Sequence, residues 1–260
     1  LLGSLVRAVT VALQLDDRPG GTNTSHTIAV DLLASLLAAP PATADRADYE
    51  RVAVEENVLG RATLAGRART FRYLRELYLL DPRRLLFRAL RDLWDEDVTA
   101  QPLLACLTAL VRDSALRATA DTVLATPVDA SIDAAALTRA VMERYPDVYN
   151  TATAAKIGRN TASSWTQSGH LEGRSNKRRR RPVVGPVSTT LALLLGHLSG
   201  LRGEALFSSS WARVLDVPPE EVRRLAADAS RKGYLELKDG GGVVEIGFRH
   251  LLRPPVERIV

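Results

Sequence analysis

Residues 150–184 read NTATAAKIGRNTASSWTQSGHLEGRSNKRRRRPVV, and the folding of this stretch decides what kind of protein the chain is. Ala155, Ile157, Ala162, Trp165 and Leu171 are spaced to supply the contacts of two short crossing helices. The first would end near Ile157-Gly158, the chain would turn through Arg159 and Asn160, and a second helix would run over 161–168. Gly158 suits the turn and Gly169 the end of the second helix. The spacing therefore predicts a helix-turn-helix whose second helix turns Thr161, Ser163, Ser164 and Gln167 outward, with Lys156, Arg159 and Asn160 just before it. Short hydrogen-bonding side chains of this kind suit base edges and phosphates.

The stretch continues into six positive charges within the eight positions 174–181. In a winged helix the second helix is followed by a β-hairpin. HLEGR and RRPVV would be its strands, with Ser175-Asn176 near the tip. Arg174, Lys177, Arg178, Arg179, Arg180 and Arg181 would then meet the sugar-phosphate backbone or a neighbouring minor groove. Two alternatives stay open. One is a disordered linker, because blocks of like charge repel and stay solvated. The other is a nuclear-import signal, which nothing else in the chain accompanies. The whole chain carries only +5, of which residues 151–182 supply +7, against −3 for 1–150 and +1 for 183–260. Charge so concentrated predicts a salt-sensitive affinity for nucleic acid.

Upstream, residues 1–145 have apolar positions at three- and four-residue spacing, with breaks at 16–25, 38–45, 81–82, about 101–102 and 125–133, and no convincing strand signal. Asp45 and Asp133 suit helix caps, and Pro82 and Pro102 first turns. The helix expected over 61–80 places Leu64, Phe71, Leu74 and Tyr78 on one side and Arg61, Arg69, Arg72 and Arg75 on the other. That second basic face is either a solvated surface or a further place of phosphate contact. Downstream, STTLALLLGHLSGL, SSSWARVLDV and PPEEVRRLAADASRKG predict three helices, and YLELK and VVEIGF around DGGG predict a hairpin. This order is again that of a winged helix. Its third helix carries a mixed face of Glu220, Glu221, Arg223, Arg224, Asp228 and Arg231, which suits protein contact as well as DNA. Trp211 is expected in the core.

The chain has 260 residues, 46% of them apolar, which is enough for a sizeable core. The opening LLGSLVRAVTVALQL is interrupted by Arg7 and is expected to be an amphipathic helix, not a signal peptide. No stretch approaches the ~20 uninterrupted apolar residues of a membrane span, so a cytoplasmic protein is expected. Arginines outnumber lysines thirty-one to four, which favours bidentate phosphate and guanine contacts but also matches an alanine- and leucine-rich composition. The single cysteine, Cys106, sits in an apolar run and suits a buried hydrophobe. His26, His170, His197 and His250 are scattered, with no metal-ligand or nucleophile spacing, and no glycine-rich phosphate loop is present. Of the acidic clusters, Glu55-Glu56 suits an exposed helix turn. Asp95-Glu96-Asp97 lacks a basic companion at the spacing of a nuclease. No catalytic residue, metal or cofactor is expected.

The segment YERVAVEENVLGRATLAGRARTFRYLRELYLLDP (49–82) resembles a block of the BrxA family of BREX bacteriophage-defence systems. It has an aromatic residue, an acid-acid-Asn-x-Leu-like stretch, then a small-residue and arginine-rich helix. QPLLACLTALVRDSALRATADTVL (101–124) is similar to that family's glutamine-led helical pair, and NTATAAKIGRNTASSWTQSGHLEG to its closing region. The likeness covers about residues 25–173. Tyr49 stands where the family has tryptophan, and the part after Val183 is longer than the family's. The resemblance implies a helical N-terminal domain like the RNA-binding NusB fold. It also implies DNA binding without catalysis, alongside a methyltransferase, an ATPase and a phosphatase-like partner.

The expected fold is thus mainly α: an all-helical bundle over 1–146, NusB-like by resemblance, a helix-turn-helix with a basic wing over 147–184, and a second winged-helix unit over 185–260. The expected function is non-catalytic binding of double-stranded DNA in bacterial phage defence, with other defence proteins as partners by resemblance. Two alternatives remain: a winged-helix transcriptional regulator, which would act as a homodimer on a palindrome, and an assembly adaptor that contacts only proteins.

Overall fold

The computed structural model describes residue 15 and residues 18–254. The helix expected over 1–15 lies outside them, apart from Leu15. The chain is mainly helical, with two small antiparallel sheets.

Local sequence explains where the helices begin. Helix α1 (Val30–Ala38) is followed by α2 (Arg46–Val54). The Asp45 carboxylate accepts from the amides of Ala47 and Asp48, while Asp48 reaches back to the Asp45 amide. This reciprocal box satisfies amides that have no partner within the helix. Thr63 caps α3 (Leu64–Tyr78), and α4 (Leu85–Trp94) follows. Pro102 sits in the first turn of α5 (Gln101–Arg112), where its missing N–H costs nothing. Two short helices, α6 (Ser114–Ala118) and α7 (Ala120–Ala125), lead to strand β1 (Ser131–Ile132). Asp133 then caps α8 (Ala134–Arg144).

Helix α9 (Thr151–Gln167) is capped by Asn150 and runs unbroken through the position expected to be a turn. The helix-turn-helix is therefore replaced by one rod. The reason lies at Gly158, where a Cβ would come within 2.6 Å of the Ala134 carbonyl oxygen and crowd Thr138. Gly158 is a glycine of close helix–helix approach between α8 and α9, and the 3.6-residue periodicity passes through it undisturbed. After α9 come β2 (Leu171–Glu172) and β3 (Lys177–Arg179).

The remainder contains α10 (Pro186–Leu198), α11 (Ser210–Arg213), α12 (Pro219–Arg231), β4 (Glu236–Gly240) and β5 (Val243–Gly247). Strands β4 and β5 close through Gly241 and Gly242, both at positive φ (61° and 78°). That is the backbone a two-residue hairpin turn needs, and glycine adopts it without strain.

Two helices are buried nearly all round: α5, from Leu103 to Val111, and α10, from Val187 to Gly196. They pack on each other, α3 and α4 pack on α5, and α11 and α12 pack on α10. Buried residues from Ile28 to Leu251 form one contiguous cluster, so packing crosses the divisions expected near 146 and 184. Trp211 is buried in it, and so is Cys106. Leu64, expected on the apolar face of α3, is instead 65% exposed, because it is the first residue of the helix and lies beyond the core.

Candidate nucleic-acid interface

The basic run forms a folded element. Strand β3 is the middle of a three-stranded antiparallel sheet, flanked by β2 on one side and β1 on the other. Glu172 faces Arg178 and Leu171 faces Arg179 across β2–β3, with residues 173–176 as the tip. The second strand thus lies within the arginines and not in RRPVV, because Ser131–Ile132 pairs with Arg178 and Lys177 and extends the ladder there.

Strand alternation sorts the six charges. Arg179 points inward and is 1% exposed. Its Nε donates to the Val123 carbonyl at 2.9 Å and its Nη1 to the His170 carbonyl at 3.2 Å, while Nη2 lies 2.8 Å from the Asp216 carboxylate. The expectation that Arg179 meets DNA is corrected: it ties the hairpin to α7 and to the loop before α12. Arg180 is also engaged, with Glu172 at 2.5 Å and with Asp129. Lys177 donates to the Gly173 carbonyl at 2.9 Å, and partial burial lowers the pKa of its ammonium. Arg174, Arg178 and Arg181 are exposed and make no ion pair among the described residues; Glu172, opposite Arg178 in the ladder, is paired with Arg180.

The outward stripe expected on 160–167 faces inward. Asn160 Nδ2 donates to the Asn23 carbonyl at 2.9 Å, and Ser164 Oγ donates to Asn23 Oδ1 at 2.5 Å. Ile28 N donates to Ser164 Oγ at 3.1 Å and Val30 N to Gln167 Oε1 at 3.0 Å, while Gln167 Nε2 donates to Thr27 Oγ1 at 2.9 Å. Positions 160, 164 and 167 share one helix face. They hold segment 23–30 along α9, and Gln167 satisfies the first amide of α1. Thr161 is buried and donates back to the Ile157 carbonyl at 3.0 Å. Asn160, Thr161, Ser164 and Gln167 are therefore structural, since their hydrogen-bonding capacity is spent inside the protein. Ser163 is half-buried, and Lys156 and Arg159 are exposed.

Segment 23–30 also brings two basic regions together. His26 packs on Tyr73 of α3 with ring centroids 3.2 Å apart, and the Arg72 guanidinium lies 5.8 Å from the Tyr73 ring centre. Burial lowers the His26 pKa, and the positive charges of Lys156, Arg69, Arg61 and Arg72 lower it further. Lys156 on α9 thus shares a locality with the arginine face of α3. A cleft of about 380 Å³ opens here, floored by Ala29, Leu32, Leu74 and Leu77, with Arg61 and Arg69 in its wall. Arg61 Nε donates to Thr70 Oγ1 at 3.2 Å. Arg69, Arg72 and Arg75 line a second, shallower hollow on the flank of α3, together with Glu50. Sequence alone does not single out His26 and Tyr73, because segment 23–30 has no motif and its place is set by residues of α9.

The helix α12 differs. Arg224 pairs with Glu221 and Asp228, Arg231 with Asp228, and Arg223 with Glu204 and Asp239. Its mixed face is internally neutralised. The acidic triplet 95–97 is likewise in structural use: Asp95 pairs with Arg91, Glu96 accepts from the Tyr234 hydroxyl, and Asp97 caps Thr99. Ser168 and His170 are 2.8 Å apart but wholly buried, with His170 Nε2 donating to the Val214 carbonyl. Burial pushes the Cys106 thiol up to about 12, far from a thiolate at neutral pH. Among the described residues no helix is long and apolar enough to cross a membrane, and no cluster of His, Cys, Asp or Glu could hold a metal ion.

No protein-family model, curated protein or solved structure matches the chain.

Proposed function

We propose that the protein binds double-stranded DNA without catalysis of its own, holding the phosphate backbone with Arg174, Arg178 and Arg181 of the hairpin and with Lys156 and Arg159 of α9. One contrast carries this reading. These cations make no ion pair among the described residues, whereas the arginines of α12 are matched within the protein. Unmatched like charges gathered on and beside a paired strand and on a helix gain from an external polyanion, whose condensed counterions they release. The Arg61, Arg69, Arg72 and Arg75 face of α3 would extend the footprint.

Because Asn160, Thr161, Ser164 and Gln167 are committed to internal bonds, base readout has few side chains left, and binding is expected to be largely independent of sequence. The likeness of residues 49–82 to the BrxA family supports a setting in BREX phage defence, with other defence proteins as partners. The ion-paired surface of α12 favours protein contact over DNA in the C-terminal part.

The test is fluorescence anisotropy of the purified chain with a random-sequence duplex, beside the Arg174→Gln, Arg178→Gln, Arg181→Gln triple variant. Binding that weakens by about tenfold or more in the variant is expected. Absence of binding by the parent at low salt would refute the proposal and leave a protein adaptor as the better account.

A further inference from the structure

The cleft between segment 22–32 and α3 is outside the hairpin, and its chemistry differs from that of a duplex-tracking surface. Its rim is cationic, with Arg61 and Arg69, and hydroxyl-bearing, with Thr22, Thr27 and Thr70. Its floor is apolar, formed by Ala29, Leu32, Leu74 and Leu77 beside the His26–Tyr73 pair. Its volume of about 380 Å³ is within the range of small-ligand sites. The Nε2 atom of His26 is buried and has no hydrogen-bond partner. A buried ring nitrogen left open is costly unless something outside completes it.

We infer that this cleft holds one nucleotide that is not base-paired, with its phosphate against Arg61 and Arg69 and its base on the apolar floor beside Tyr73. The apolar floor separates this ligand from a bare anion, and the cationic rim separates it from a neutral aromatic compound. A paired base inside a duplex cannot present its face to such a floor, whereas a single strand or a free mononucleotide can. Backbone contacts from the hairpin do not require the cleft, so the two sites fail independently. The charges surrounding His26, from Lys156, Arg69, Arg61 and Arg72, concentrate positive potential at the same place.

The experiment compares the full chain with a Tyr73→Leu variant, which removes the aromatic platform beside the floor of the cleft and leaves in place every cation proposed to hold the duplex. Tyr73 is half-buried and leucine keeps its apolar bulk, and a matching melting temperature verifies the fold. Three probes are titrated by anisotropy or calorimetry: a fluorescent oligothymidylate single strand, thymidine 5′-monophosphate and a blunt random duplex. The expected result is about a tenfold loss for the single strand, with duplex affinity changed by no more than about twofold to threefold. If the mononucleotide also binds and loses affinity in the variant, the source is a free nucleotide as well as a strand; if it does not bind, the source is the strand alone. An unchanged single-strand affinity, or an equal loss on single strand and duplex, overturns the inference. Loss of duplex binding in the hairpin variant alone bears on the proposed function and not on the cleft.

Discussion

Arg179 meets Asp216 at 2.8 Å from inside the protein, although it sits in the middle of a run of five consecutive basic residues. Arg178, its neighbour, stands in solvent. Adjacent arginines of one strand thus have opposite work, because side chains alternate across the pleat.

This alternation separates stability from binding. Arg179→Ala leaves Asp216 without its cation beside a new cavity and is expected to cost about 3 kcal/mol, the usual scale for breaking a buried ion pair. Arg178→Ala is expected to leave the denaturation midpoint unchanged and to weaken DNA binding. Urea melts and duplex titrations of the two variants provide the check, and the reverse assignment of effects would refute the sorting.

Gln167 gives a second separation. If it read bases, Gln167→Ala would alter DNA affinity or preference. Its bonds to Val30 and Thr27 predict instead a loss of about 1–3 kcal/mol. Faster amide exchange over residues 23–30 should accompany it, with duplex affinity of the folded protein unchanged. Hydrogen exchange read by mass spectrometry distinguishes these outcomes.

At Gly158, alanine has the higher helix propensity, by about 1 kcal/mol. The close approach of α8 predicts the opposite sign of effect. Gly158→Ala is expected to destabilise by about 1–3 kcal/mol through overpacking against Ala134 and Thr138. A rise in melting temperature would contradict the packing of α8 on α9.

His170 sets an acid-side dependence. Complete burial lowers its pKa from 6.5 to about 3, with the positive charge of Arg179 acting in the same direction and the hydrogen bond to Val214 opposing it. Between those values the unfolded chain binds a proton that the native imidazole refuses. Stability from this group is therefore full above pH 6.5 and is lost as pH falls toward 3. A His170→Gln variant should show a flatter fall in melting temperature over that window, and an unchanged profile would show that the acid loss arises elsewhere.

Features whose cause is local were legible in the sequence. Asp45, Asp133 and Pro102 mark helix starts because caps act within three residues, and DGGG closes a hairpin because two glycines accept positive φ. Strand β1 was not legible: Ser131–Ile132 lies in a stretch expected to be a break, in a region expected to hold no strand, and two residues are too few to show alternation. The continuous α9 was not legible, since a glycine at a turn and a glycine at a helix crossing look the same in sequence. Nor was the fate of its polar face. The partners of Asn160, Ser164 and Gln167 lie 137 and 141 residues away, in a segment without periodicity. Short polar side chains on a helix suit a groove of DNA and a buried chain segment equally well, and only tertiary structure distinguishes them.

If the exposed arginines of the hairpin contact phosphates, the affinity for a duplex depends on salt through them. For the parent chain the logarithm of affinity should fall linearly with the logarithm of salt concentration. In the Arg174→Gln, Arg178→Gln, Arg181→Gln variant the slope should be shallower by about 2–3 units, close to one per lost phosphate contact. Identical slopes would remove the hairpin from the interface and contradict the account.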